Sequence, residues 1–310
     1  NAGEKRYERK SGKNWDKRSK FEIYEDSKQI DDQIVVTVRP LSHDVNDNAI
    51  FALSGVSNSK TIFCNESGRY SIYQSDRYGF NNPDIEWDSN EIEYLLVGDS
   101  STQGSCVNRP HDIGSVLRSL SNKAVLNLGY RGNGPLTEYA TLREYLSPKV
   151  KKVLWIYTGT DFLDLSAEIN EEILMNYFTD TTYTQNLKSK QNLIDNLSKN
   201  LIEKDSKLER EKRSPLLEFV KFYKIRTKLL TKPQTIVTKE FKEVLKLVKD
   251  LTSNNNSELY FVYLPIYTRY LNKYDLSSYD LVKKITNELK IPFIDLHEEI
   301  FEKEDNPMSL

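Results

Sequence analysis

The sequence predicts an α/β fold: three layers (αβα) on a five-stranded parallel sheet, with a small β-rich N-terminal extension and a helical insertion. Three observations predict it. From Glu91 onward, short apolar runs alternate with amphipathic helical patterns, the rhythm of βαβ units. Loops rich in Gly, Asp, Ser and Asn follow several of these runs, where an open parallel sheet binds its ligands. A chain of 310 residues, 38% apolar and 11% aromatic, can also bury one large core or two small ones.

Taken in order, residues Asn1 to Lys20 hold eight basic and three acidic side chains without apolar periodicity, and read as a solvated arm or a stalk beside an anchor. Ile34 to Val38 is β-rich, and Thr61–Cys64 meets Arg69–Tyr73 across Asn65-Glu66-Ser67-Gly68 as a hairpin. Ser75 to Pro83 carries turn chemistry and reads as a linker. These segments make residues 1–88 an extension, and residues 89–310 the main domain.

Within the main domain the expected strands are Glu93 to Val97, Ala124 to Leu128, Lys152 to Tyr157, Glu258 to Leu264 and Ile291 to Leu296. Five strands in this rhythm give a flavodoxin-like arrangement. Asp112 reads as the N-cap of one helix and Pro135 as the first residue of another, both expected on the surface. The stretch from about 166 to 256 breaks the rhythm and reads as a helical insertion; its charge run Glu203 to Arg213 alternates in sign like a solvated face.

Composition excludes several function classes. With 44 Lys+Arg against 46 Asp+Glu the formal charge is −2, so bulk charge makes no case for nucleic acid or an anionic membrane. Apolar runs fall well short of the ~20 residues that cross a bilayer. Cys64 and Cys106 cannot build a disulfide framework and have no metal-ligand spacing, so no metal is expected and the redox compartment stays open.

Three loops carry the candidate chemistry. Gly98-Asp99-Ser100 puts a hydroxyl on a tight strand-to-helix turn with helix N–H groups nearby. Asn127 to Pro135 is glycine-rich, but its spacing fits neither a dinucleotide fingerprint nor a P-loop. The third loop is Thr158-Gly159-Thr160-Asp161.

Together these loops resemble the SGNH superfamily of GDSL-type hydrolases over about Tyr94 to Asp164. The resemblance implies Ser100 as nucleophile, with the Ser100 and Gly132 N–H groups as oxyanion donors and Asp99 and Asp161 in supporting positions. Thr160 stands where the family has an asparagine, which exchanges an amide donor for a shorter hydroxyl; losing such a donor costs ~3 kcal/mol. It also implies a serine esterase or O-acyl hydrolase or transferase needing no cofactor, with acylated carbohydrate as substrate class and an envelope-associated or extracytoplasmic setting. Tyr157, Phe162, Thr268, Arg269 and Tyr270 lie at strand ends from which a sugar would be contacted.

In the family the base is a histidine assisted by an aspartate that precedes it with two residues between them. Of three histidines, His43 reads as an exposed turn residue and His111 as part of the Asp112 cap. Asp295-Leu296-His297 is one residue short of the family spacing. Three readings stay open: a chain ending before its catalytic histidine, His297 as an atypical base oriented by Asp295, or a catalytically inactive relative serving as a binding or assembly module.

Overall fold

The computed structural model describes residues 2–45, 48–159, 161–212, 238–270 and 276–307. Its N-terminal part contains helices α1 (Ala2–Ser11) and α2 (Lys20–Ser27), then strands β1 (Ile34–Val36), β2 (Leu41–Val45), β3 (Asn48–Ala52), β4 (Lys60–Ile62) and β5 (Ile72–Gln74). β4 and β5 form the antiparallel hairpin, and β1 pairs parallel with β4.

Residues 2–20 do not form a free arm. Tyr7 packs edge-on against Trp15 at 5.7 Å, and the Asp16 N–H donates to the Gly68 carbonyl at 2.9 Å, folding the segment back onto the hairpin turn. Single aromatics holding a short helix leave no periodic trace for sequence reading. His43 lies in β2 opposite Ile50 rather than in a turn, and its side chain is outside the described residues.

Nor is the 75–83 stretch a loose linker. Asp76 is fully buried, and its carboxylate accepts from the Tyr78 and Phe80 N–H groups, Asn82 Nδ2 and Trp87 Nε1. Burial pushes its carboxyl up to about 6, against those four donors, which favour the charged form. Phe80, Asn81 and Asn82 are buried with it.

The main domain follows as β6 (Ile92–Gly98), α3 (Ser100–Gln103), α4 (Ile113–Ser121), β7 (Val125–Asn127), α5 (Pro135–Tyr145) and β8 (Val150–Thr158). Helices α6 (Asp161–Glu168), α7 (Glu172–Thr179), α8 (Gln191–Lys212) and α9 (Thr238–Asn254) come next, then β9 (Glu258–Leu264), α10 (Ser277–Glu288), β10 (Phe293–Asp295) and α11 (Leu296–Glu299). The sheet order is β10-β9-β8-β6-β7 with every pairing parallel. In chain order that is 2-1-3-4-5, the flavodoxin-like arrangement, whose switch point lies between β6 and β8.

α4 is a surface helix capped by Asp112, whose Oδ1 accepts from the Ser115 N–H at 3.0 Å. α5, expected on the surface, is enclosed instead: ten of its eleven residues are buried, between the sheet and α6, α7 and α9. The insertion therefore supplies core. Phe241, Val244, Leu245 and Val248 of α9 are fully buried, each contributing roughly 1.5–3 kcal/mol of transfer free energy. Polar residues on α5 survive burial by pairing; Glu144 accepts from the Tyr177 and Thr184 hydroxyls and the Gln185 and Leu187 N–H groups. Ile202 of α8 joins the apolar cluster of the extension with Ile23, Val36 and Ile62. No described helix is long and apolar enough to cross a membrane.

Candidate active site

The apolar run of β6 ends at Gly98, where a Cβ would run into Thr102 Oγ1 and the Ile156 carbonyl; only glycine lets the chain turn here. Asp99 caps α3 by accepting from the Ser101 N–H at 2.8 Å, while its other oxygen accepts from Thr158 Oγ1 at 3.1 Å. Burial holds the Asp99 carboxyl above the usual carboxylate range. Ser100, half-buried, thus opens a helix held between two strand ends at the switch point. Its carbonyl accepts from the Gly104 and Ser105 N–H groups, and its own N–H has no hydrogen-bond partner among the described residues.

The glycine-rich loop after β7 is fastened to this turn by buried Asn127. Asn127 Nδ2 donates to the Thr102 carbonyl at 2.6 Å, and its Oδ1 accepts from the Gly129 N–H at 2.9 Å. Asn82 holds the Asn127 backbone from the other side, accepting its N–H at 2.8 Å and donating to its carbonyl at 2.9 Å. Gln103 Oε1 then accepts from the Arg131 N–H at 2.8 Å. These bonds deliver Gly132, at φ +78°, in a conformation glycine adopts without strain. Its N–H likewise has no hydrogen-bond partner among the described residues.

Ser100 and Gly132 line one pocket of about 360 Å³. Arg131 and Ser105 complete the main-domain side. The opposite wall belongs to the extension, with Lys20, Arg39, Phe63, Asn65 and Tyr70. Cys64 is part of that wall and forms a disulfide with Cys106, tying the extension to the loop after α3. Behind the glycine loop, buried Glu168 of α6 accepts from the Gly134, Leu136 and Thr137 N–H groups at the start of α5. Desolvation pushes its carboxyl up to about 7.

The remaining sequence-derived residues lie elsewhere or beyond description. Thr160 is outside the described residues; Asp161 begins α6, but its side chain, like that of Phe162, is outside them. Asp295 caps α11, its Oδ1 accepting from the His297 and Glu298 N–H groups and its Oδ2 from the Tyr279 hydroxyl. The His297 ring pairs through Nδ1 with the Tyr270 hydroxyl at 3.0 Å, not with Asp295, and does not line the Ser100 pocket. β10 stands three strand steps from β6, on the order of 14 Å across the sheet. Burial, reinforced by Arg269, holds the His297 imidazolium below its ordinary range. His111 is exposed beside the Asp112 cap. Tyr157 is fully buried against Phe261, and Arg269 lies over the Tyr263 and Tyr279 rings.

No protein-family model matches the chain, and no curated protein matches it. Among solved structures it is similar to AlinE4, an SGNH-hydrolase family esterase, at 11% identity and a TM-score of 0.37, covering 70% of this chain and 82% of that one. It is also similar to a G-D-S-L family protein from Desulfitobacterium hafniense DCB-2, at 14% identity and a TM-score of 0.35, covering 70% and 83%. These likenesses assign this chain no substrate.

Sequence reading missed the far wall of the pocket. Lys20 belongs to the basic run read as a stalk, and Arg39 to a stretch without motif; nothing local says that either faces Ser100. Asn82 was hidden among turn residues. A signal for the disulfide did exist, since Cys64 ends the expected strand and Cys106 follows the Ser100 turn, but two cysteines 42 residues apart do not by themselves specify a bond.

Proposed function

We propose that the chain is an SGNH-type serine esterase or acyl-transferring protein acting on O-acyl esters, with carbohydrate as the carrier of the ester. One observation carries this reading: Ser100 shares a pocket with Gly132, and the backbone N–H of each is without a partner among the described residues. Unpartnered backbone donors beside a hydroxyl suit a negative charge that develops on an acyl oxygen.

In this reading Ser100 Oγ attacks the acyl carbon and its proton passes to a histidine base. The tetrahedral oxyanion accepts from the two N–H groups. Collapse breaks the bond to the alkoxy group, which leaves as the alcohol after taking the proton from the base. Water or an acceptor hydroxyl then attacks the acyl-serine and restores Ser100. For His297 to serve as the base, its Nε2 must reach Ser100 Oγ across the three strand steps between β10 and β6, while Nδ1 can stay on Tyr270. The disulfide supports an oxidising, extracytoplasmic setting, since such bonds persist where thiols are not kept reduced.

A second reading, a binding or assembly module, is favoured by the engagement of Asp295 with Tyr279 and the α11 N–H groups. Among the described residues His297 then has Tyr270, and no carboxylate, hydrogen-bonded to its ring. Turnover of p-nitrophenyl acetate separates the two. The esterase reading expects hydrolysis that Ser100→Ala reduces to background, and equal turnover in Ser100→Ala would remove it.

A further inference from the structure

The pocket beside Ser100 is cationic in a chain that is not. Lys20, Arg39 and Arg131 all line it, and none of its lining residues is acidic, although the chain as a whole has a formal charge of −2. None of the three makes an ion pair among the described residues. Lys20 Nζ donates to the Thr37 carbonyl at 3.1 Å, and the Arg39 stem lies alongside Gly132, where an added Cβ would sit 3.5 Å from its Cγ. The charged groups facing the cluster from other elements are Asp205 and Glu209 of α8, which act on Lys20, and Asp164 of α6, which feels Arg39.

The cations also act on one another. Lys20 is pushed down to about 8, first by burial and next by Arg131, and burial and Arg39 lower Arg131 in turn. Three like charges lining one cleft, with no acidic residue among its lining and no ion pair to any of them among the described residues, repel one another, and a bound anion relieves that. Guanidinium forks suit the planar, multidentate oxygens of carboxylate and phosphate. Tyr70 and Asn65 add an aromatic surface and an amide to the same wall. At about 360 Å³ the pocket falls at the lower end of small-ligand sites, which run to roughly 300–1,000 Å³.

We propose that this pocket recognises an acidic sugar, its carboxylate or phosphate resting on Arg39, Arg131 and Lys20 while a neighbouring O-acyl group lies at Ser100. The position of the ester rests on the esterase reading; recognition of the anion does not. The test therefore measures binding without turnover, by isothermal titration of the full chain carrying Ser100→Ala. The probes are a glucuronic-acid trisaccharide against its carboxyl-reduced neutral counterpart, and glucose 6-phosphate against glucose.

The expected result is at least about tenfold tighter binding of one or both acidic probes, weakening with added salt, with the responding pair distinguishing carboxylate from phosphate. Arg39→Gln with Arg131→Gln should bring acidic and neutral affinities together while a thermal melt shows a folded protein; if that pair does not fold, Lys20→Gln alone should narrow the ratio. Equal affinity for acidic and neutral probes, or a preference that survives loss of the cations, overturns the proposal. Because p-nitrophenyl acetate is neutral, its hydrolysis reports on the esterase reading separately.

Discussion

At the scale of single residues, the site depends on where two N–H groups point. Gly132 is the sharper case because its φ of +78° is a conformation other residues adopt only with strain. Gly132→Ala adds a methyl that meets Arg39 at an ordinary 3.5 Å, so the harm comes from the backbone rather than from a clash. The expected outcome is a folded protein whose ester turnover falls roughly tenfold to a hundredfold as the donor rotates away. Steady-state kinetics beside a thermal melt checks it, and unchanged turnover would remove Gly132 from the oxyanion role. That the loops of Ser100 and Gly132 meet in one pocket is what the family resemblance of the two loops implies, and both loops carry glycines at tight turns that are visible locally. Lys20 and Arg39 were not legible, since their place at the pocket depends on how the extension packs.

At the scale of elements, α5 shows how far local pattern reaches. Pro135 announced its start correctly, but its polar residues suggested a surface helix, and the insertion that buries it lies far along the chain. Glu168 is part of that burial, closing the start of α5 through three N–H groups. Its carboxyl is raised from the usual 4.5 to about 7, so the native state keeps a proton that the unfolded chain releases between those values. Its contribution is greatest below about pH 4.5 and is lost as pH rises through 7, by up to about 3 kcal/mol. Asp76, raised to about 6, acts with the same sign. Melting temperature is therefore expected to fall between pH 5 and 8, and Glu168→Gln, which cannot titrate, to flatten that slope. An unchanged slope in the variant would show that Glu168 is not the group responsible.

At the scale of the molecule, the parallel sheet and its strand order were legible because buried strands and crossover helices leave opposite periodicities in the sequence. The position of the extension was not. Edge-on packing of Phe80 on Tyr130, the Asn82 bonds and the Cys64–Cys106 bridge bring residues of the first eighty-eight against the C-terminal ends of β6 and β7. The result is one pocket with Ser100 on one wall and two of its three cations, Lys20 and Arg39, on the other. Labelling with a fluorophosphonate, read by intact mass and peptide mapping, tests the acyl-transfer account most directly. A single adduct on Ser100, absent from Ser100→Ala, is the predicted result; no adduct, or one that persists in Ser100→Ala, would contradict it.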